Sequence, residues 1–368
     1  AKAAMESGVA RTPITDWDAY KQSLRQLLGQ ETKFTRTIHA AAAEHPQRVV
    51  FAEGEHNTMM KAAVQAKTEG ICYPILLGNP DRLRRMAARL KLDLTGIELI
   101  DMRADQEQGR RATYAKHLSE KRARDGYTFQ EAYDKMYERN YFGMMMVETG
   151  DADAFITGLY TKYSNTIKVA KEVVGIREGN STFGTMHIIN SPKGILYLGD
   201  TLVNGDPTTD DLVAIAKLAA HTVDFFNETP NIAMISYSNF GSDKAPGSQK
   251  VKDAVARLHQ EEPELCVDGE MQIGCALNRQ LRDDLYPFSK LAGKDCNTLV
   301  FPNLTSARSA YKLLQMLSND VEIIGPVQMG LNKPIHFTDS ESSVRDVVNI
   351  TAIASLDAYV EKIKGGRK

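Results

Sequence analysis

Residues 72–90 read CYPILLGNPDRLRRMAARL. The apolar run at 72–77 is strand-length, and Gly78 ends it. Asn79 is a helix N-cap residue and Pro80 suits a first helical turn, so a helix should start there. Arg82, Arg84, Arg85 and Arg89 then fall at helical spacing and form a solvated face rather than a polyanion site. A strand followed at once by a capped helix is the repeating unit of a layered α/β protein. Working outward, strand-like runs recur at 48–52, 97–101, 154–157, 185–190, 195–199, 232–236, 298–301 and 321–324. A second helix is marked in PTTDDLVAIAKLAAHTVDFF, with Thr208 as cap, Asp211 three residues on, and a stripe of Leu212, Ile215, Ala216, Ala219, Val223 and Phe226. HIINSPKGILYLGD differs: it is strand, Ser-Pro-Lys-Gly turn, strand, hence an antiparallel hairpin. The expected fold is α/β with mixed, mostly parallel sheets.

The 368 residues suffice for two ordinary domains. With 42% hydrophobic and 25% charged residues, the chain can bury a sizeable core. A formal net charge of −2 supplies no basic excess for nucleic acid. No run of 18 apolar residues exists, so no membrane span is expected. The N-terminus, AKAAMESGVARTPITDW, lacks an apolar signal core and looks cut from a longer chain. Cys72, Cys266, Cys275 and Cys296 form no CxxC pair, and no Cys/His spacing suits a metal. Cys72 and Cys266 sit in apolar runs as small buried hydrophobes, and a cytoplasmic location is expected. His187 and His221 lie in apolar contexts and are expected to be packed core histidines.

Ligands of parallel sheets gather at the C-terminal ends of strands, which directs attention to four loops. AEGEHN (52–57) offers Glu53 and Glu55, a carboxylate pair or a capped turn. TGLYTKYSNTIK (157–168) offers hydroxyls and two lysines before a helix, a plausible anion loop. ISYSNFGSDKAPGSQK (235–250) places Ser236, Ser238, Gly241, Ser242, Lys244 and Gly247 after an apolar strand. Small residues there let a ligand approach the backbone, although the P-loop spacing is absent. In VDGEMQIGCALN (267–278), Asp268, Glu270 and Gln272 alternate with apolar residues, as on one polar face of a strand.

RVVFAEGE, ILLGNPDRL, DADAFITG, ISYSNFGSDKAP, VDGEMQ, TLVFPNL and GPVQMGLNKPI, in this order, resemble the phosphotransacetylase (phosphate acetyltransferase) family. The likeness runs from about residue 40 to the C-terminus. The N-terminal stretch and VVNITAIAS resemble the subgroup in which a phosphotransacetylase-like domain follows a malic enzyme domain. The resemblance implies two α/β domains with a cleft between, similar to isocitrate and isopropylmalate dehydrogenases. Residues 1–30 would continue from the preceding domain, 31–158 with 332–368 would form one domain, and 159–331 the other. A homodimer is implied, as are ligand contacts from Ser236, Ser238, Gly241, Ser242, Lys244, Glu270, Gln272, Lys333 and Pro334. No cofactor is expected in this chain; NADP and a divalent metal would belong to the malic enzyme domain.

In the true transferases, the resemblance implies, an Asp accepts the CoA thiol proton and a Ser-Arg pair stabilises the developing charge. Here the corresponding run is KPIHFTDSESSVRDVVN, residues 333–349. The Asp falls on Asp346 and is kept. The Ser falls on Asp339 and the Arg on Ser340, while a further family arginine falls on Lys168, which lacks the guanidinium fork. No cation precedes Arg345 in TDSESS, so Asp339 and Glu341 should repel an acyl phosphate. A like-charge pair near 4 Å costs about 4 kcal/mol at an effective dielectric of 20, roughly three decades in rate. Two alternatives follow: a regulatory, oligomerising domain that binds acetyl-CoA or CoA without acetyl transfer, or an active phosphate acetyltransferase or related acyltransferase. A pure assembly module is the third. On local chemistry alone, Asp339, Ser340, Ser342 and Ser343 could simply cap the helix that Val344, Val347, Val348 and Ile350 announce.

Overall fold

The computed structural model describes residues 32–160, 163–318 and 320–365, with Met5, Ile14, Asp16, Trp17 and Tyr20. Most of the expected N-terminal junction, and Lys162 of the second loop, lie outside the described residues. The order of elements begins α1 (Lys33–Glu44), β1 (Gln47–Phe51), α2 (Asn57–Thr68), β2 (Cys72–Leu77), α3 (Pro80–Leu90), β3 (Glu98–Ile100). It continues α4 (Gln108–Lys121), α5 (Phe129–Lys135), α6 (Arg139–Thr149), β4 (Ala154–Thr157), α7 (Tyr163–Val173) and the hairpin β5 (Gly184–Ser191) and β6 (Gly194–Gly199). Then come α8 (Thr209–Phe225), β7 (Ile232–Ile235), α9 (Pro246–Glu261), β8 (Val267–Met271), α10 (Ile273–Leu277) and α11 (Arg279–Leu285). The chain closes with β9 (Thr298–Val300), α12 (Leu304–Leu317), β10 (Glu322–Met329), β11 (Ile335–Phe337) and α13 (Val344–Gly365).

Two sheets result. The first, in the order β11-β4-β1-β2-β3, is parallel throughout. The second, β10-β5-β6-β9-β7-β8, is antiparallel at its β10 and β5 end and parallel from β6 to β8. Strand alternation explains how the first sheet is covered on both faces. Val49, Phe51, Leu76 and Ile156 face a core shared with α2 and α13, while Val50, Ile75, Leu77 and Phe155 face one shared with α4 and α6. Full burial of each such side chain contributes roughly 2–3 kcal/mol.

The capped helix of the opening stretch forms as read: Asn79 Oδ1 accepts from the Arg82 amide at 3.1 Å. Thr208 and Asp211 build a reciprocal capping box on α8. Three readings need correction. The strand expected at 321–324 is longer: β10 runs on through Gly325 and Pro326 to Met329, with a register shift between Ile324 and Val327. A bulge is where a sheet tolerates a residue without an N–H. His221 is exposed, because it falls off the buried stripe of α8. Cys266 is only half-buried, whereas Cys72 is buried and its thiol is pushed far up by desolvation. His187 is buried, stacked on Tyr311 at 4.2 Å, and burial pushes it down to about 3, so it is neutral at pH 7. Strand β11 carried no sequence signal, being three residues between Pro334 and Thr338.

Candidate functional site

The C-terminal ends of β1, β4 and β11 converge on one loop, 158–160. Glu53, fully buried just past β1, fixes it: Gly158 and Leu159 donate amide N–H groups to Glu53 Oε2 at 3.0 and 2.8 Å. Tyr160 donates to Oε1 at 2.8 Å. So the first acid of AEGEHN positions backbone, and Glu55 instead pairs with Arg82 at 3.1 Å. Gly158 has φ +139°, and a Cβ there would lie 2.2 Å from the Thr338 carbonyl oxygen. Neither backbone can yield, so Gly158→Ala should cost at least about 2 kcal/mol. The urea midpoint measures this; an unchanged midpoint would show that the loop is not held against β11.

Gly158, Leu159 and Tyr160 wall a cavity of about 290 Å³ with Tyr163, Leu202, Arg308, Thr338, Asp339 and Ser340. Elements of both sheets contribute: Thr338 follows β11, Leu202 follows β6, and Arg308 lies on α12. Asp200, buried, holds the Leu202 side by accepting from the amides of Leu202 and Asn204 at 3.0 and 2.7 Å. Tyr163 is half-buried, its enclosed hydroxyl has no hydrogen-bond partner among the described residues, and desolvation raises its pKa well above the ordinary value.

Asp339 is not a bare carboxylate. Its Oδ2 lies 3.7 Å from Lys312 Nζ and 3.9 Å from Arg308 Nη2. Lys312 also reaches Glu341 at 3.1 Å. Two cations from α12, i and i+4, therefore answer the two acids, and the expected repulsion of anions is largely offset. The local segment contains no cation, which is why the sequence around Asp339 concealed this. Arg345 is occupied elsewhere, by Glu322 on β10. Ser340 Oγ donates to Asp339 Oδ1 at 3.3 Å.

Asp346 closes a capping box on α13: the Ser343 amide and hydroxyl both donate to its Oδ2 at 2.8 Å. Its own amide donates to Ser343 Oγ at 3.2 Å. It does not line the 290 Å³ cavity. Lys168 pairs with Glu172 at 3.7 Å on α7 and does not line it either. The 235–250 loop folds around buried Glu270, whose Oε1 accepts from Ser238 Oγ at 3.0 Å and from the Gly241 amide at 2.6 Å. Ser242 joins Ser238 at 3.0 Å, Ser236 is buried at the end of β7, and Lys244 is exposed. Gln272 donates to the Tyr237 carbonyl at 2.7 Å. These residues gather beside one another, while Lys333 and Pro334 precede β11, where the Pro334 carbonyl accepts from Phe155. Among the described residues no cluster of His, Cys, Asp and Glu suits a metal, and no helix is long and apolar enough to cross a membrane.

A fold of mixed α/β sheets with a loop-walled cavity at the strand ends matches a known class. The phosphate acetyl/butyryl transferase family model fits residues 33–355. The chain belongs to that family. A phosphotransacetylase from Streptococcus pyogenes superposes with a TM-score of 0.80 at 29% identity, covering 88% of this chain and 99% of that one. The NADP-dependent malic enzyme of Salmonella typhimurium is 36% identical over 97% of this chain but only 47% of its own length. The chain thus spans about half the length of the malic enzymes it matches. A phosphate acetyltransferase from Corynebacterium glutamicum is 31% identical over 87% of this chain and 96% of its own length.

Proposed function

We propose that this chain is the regulatory and oligomerising phosphotransacetylase-like domain of an NADP-dependent malic enzyme, C-terminal to the malate-converting part, cytoplasmic, and a receptor for acetyl-CoA without acetyl transfer. The observation that carries this is the state of the KPIHFTDSESSVRD segment. Where the family places a Ser-Arg pair, Asp339 is engaged by Lys312 and Arg308, and Ser340 supplies no cation. Asp346 is committed to the start of α13. The silence follows from missing transition-state contacts, rather than from repulsion alone. The two sheets would form two domains, 31–158 with 332–368 and 159–331, with the cavity in the cleft between them, as in isocitrate dehydrogenase-like folds.

Incubating the chain with acetyl-CoA and phosphate, and measuring acetyl phosphate, tests the reading. No product above background is expected. Robust turnover abolished by Asp346→Asn would favour the alternative, an active phosphate acetyltransferase, to which the near full-length likeness to the Corynebacterium enzyme lends weight.

The assembly belongs to the same reading. Leu313, Met316 and Leu317 on α12 are 60, 74 and 78% exposed, and Leu285 and Phe288 near α11 are 58 and 70% exposed. Apolar faces of this kind are costly in water and suit a second copy. Light scattering at micromolar concentration should give twice the 40.8 kDa chain mass. The monomer mass would refute the dimer.

A further inference from the structure

Strand β8 is an edge of the second sheet, paired with β7 alone. Cys266 stands just before it and is half-buried. The segment that follows α11 runs along this edge, and buried groups pin it. Asp268, buried on β8, accepts from Ser289 Oγ at 2.7 Å and from the Lys290 amide at 2.8 Å. Arg282, fully buried on α11, donates to the carbonyl of Leu291 at 3.0 Å and to that of Lys294. Asp283 accepts the Gly293 amide at 3.0 Å. The backbone that carries Lys294 is therefore fixed relative to the start of β8.

Lys294 Nζ ends 3.2 Å from Cys266 Sγ, and the sulfur faces the Lys290 carbonyl at 3.5 Å. Among the described residues no carboxylate lies within 4.0 Å of that nitrogen. The neighbouring acid, Asp295, is answered by Arg279 at 3.8 Å. Lys294 is exposed, so a small oxidant reaches the pair from solvent. The other three cysteines differ. Burial pushes the thiols of Cys72 and Cys275 up, and that of Cys296 up to about 11. Among the described residues only Cys266 has a lysine nitrogen as a hydrogen-bond partner of its sulfur. A sulfenic acid formed there meets a nitrogen nucleophile at contact distance, and sulfenic acids condense with nitrogen.

We propose that Cys266 and Lys294 form a redox modification site, in which hydrogen peroxide oxidises Cys266 to the sulfenic acid and Lys294 Nζ captures it as a sulfenamide. The Cys266 thiolate attacks one peroxide oxygen: the S–O bond forms, the O–O bond breaks, and hydroxide leaves. The Lys294 ammonium gives that hydroxide a proton, which yields water and the neutral amine. Nζ then attacks the sulfenic sulfur: the S–N bond forms, the S–O bond breaks, and the departing hydroxide takes a proton from nitrogen as a second water. Sulfur loses two electrons and the peroxide gains them. A dithiol gives two electrons back and restores both side chains. The staple closes a 28-residue loop. It ties the edge strand β8, whose Glu270 anchors Ser238 and Gly241, to the segment that runs along it. This site is independent of the effector reading above.

The test is mass spectrometry of the full chain after exposure to hydrogen peroxide, with alkylation under denaturing, non-reducing conditions. A loss of about 2 Da is expected, since two hydrogens leave and no oxygen stays. Digestion should give one linked peptide pair joining Cys266 to Lys294, and dithiothreitol should release it. Lys294→Ala should abolish the link and raise dimedone trapping of the Cys266 sulfenic acid at least about fivefold, because nothing captures it. Lys294→Arg should do the same, since it keeps the charge and removes the amine. Cys296→Ser should leave the link intact. Unfolding in urea before the peroxide should abolish it, because the contact is lost. Circular dichroism should show both lysine variants folded, as that side chain is exposed.

A reversible mass loss that needs Cys266, Lys294 and the folded chain upholds the site. Cys266 that passes to the sulfinic acid without a linked species overturns it, as does a link that survives Lys294→Ala. A mass loss that disappears in Cys296→Ser reveals a disulfide and overturns it too. A Cys266–Lys294 link heavier by one oxygen overturns the sulfenamide assignment.

Discussion

Glu53→Ala is expected to destabilise the chain by at least about 3 kcal/mol. Three amide N–H groups, of Gly158, Leu159 and Tyr160, end on that one buried carboxylate. A buried donor left without a partner costs about 1–3 kcal/mol, and water entering the hole recovers only part. Glu53→Gln should cost less, since the amide oxygen still accepts while the NH₂ group opposes a donor. Urea unfolding followed by circular dichroism gives the number. A loss below about 1 kcal/mol would show that the loop stands without its anchor. The same variant should blunt binding in the cavity of about 290 Å³, because Tyr160 walls it.

The second large effect is a gain. Asp339→Ser with Ser340→Arg should raise acetyl transfer above the background of the unchanged chain. A hydroxyl donor and a guanidinium would be restored where charge develops, each worth roughly 2–4 kcal/mol by analogy with oxyanion donors. Removing Asp339 also frees Arg308, while Lys312 keeps its shorter ion pair with Glu341. Asp339→Ser alone should therefore tighten anion binding while adding little rate. The rate need not match a true transferase, because Asp346 remains tied to Ser343 and Lys168 to Glu172. A double variant as inactive as the parent, with its fold intact, would place the defect elsewhere.

The alternation of strand and capped helix was legible because its signals are local. Asn79, Pro80, Thr208 and the 72–77 run act within a few residues of themselves, and the hairpin turn does too. What escaped is non-local. Arg308 and Lys312 read as ordinary helix cations until the fold sets α12 against the segment after β11, some 30 residues on. Glu53 read as half of a carboxylate pair or part of a capped turn, yet its partners lie 105 to 107 residues away. The strand at 321–324 was read too short for another reason: Gly325-Pro326 chemistry suits a turn or a kinked strand, and only pairing with β5 decides. For the candidate site, Ser238, Gly241 and Ser242 gather as loop composition suggested, but around Glu270 of their own sheet.

Calorimetry of the unchanged chain with acetyl-CoA tests the central claim most directly. Even a dissociation constant near 1 mM corresponds to about −4 kcal/mol and gives measurable heat at excess ligand. The account predicts saturable binding, with no acetyl phosphate formed when phosphate is added. No heat up to several millimolar acetyl-CoA would contradict it.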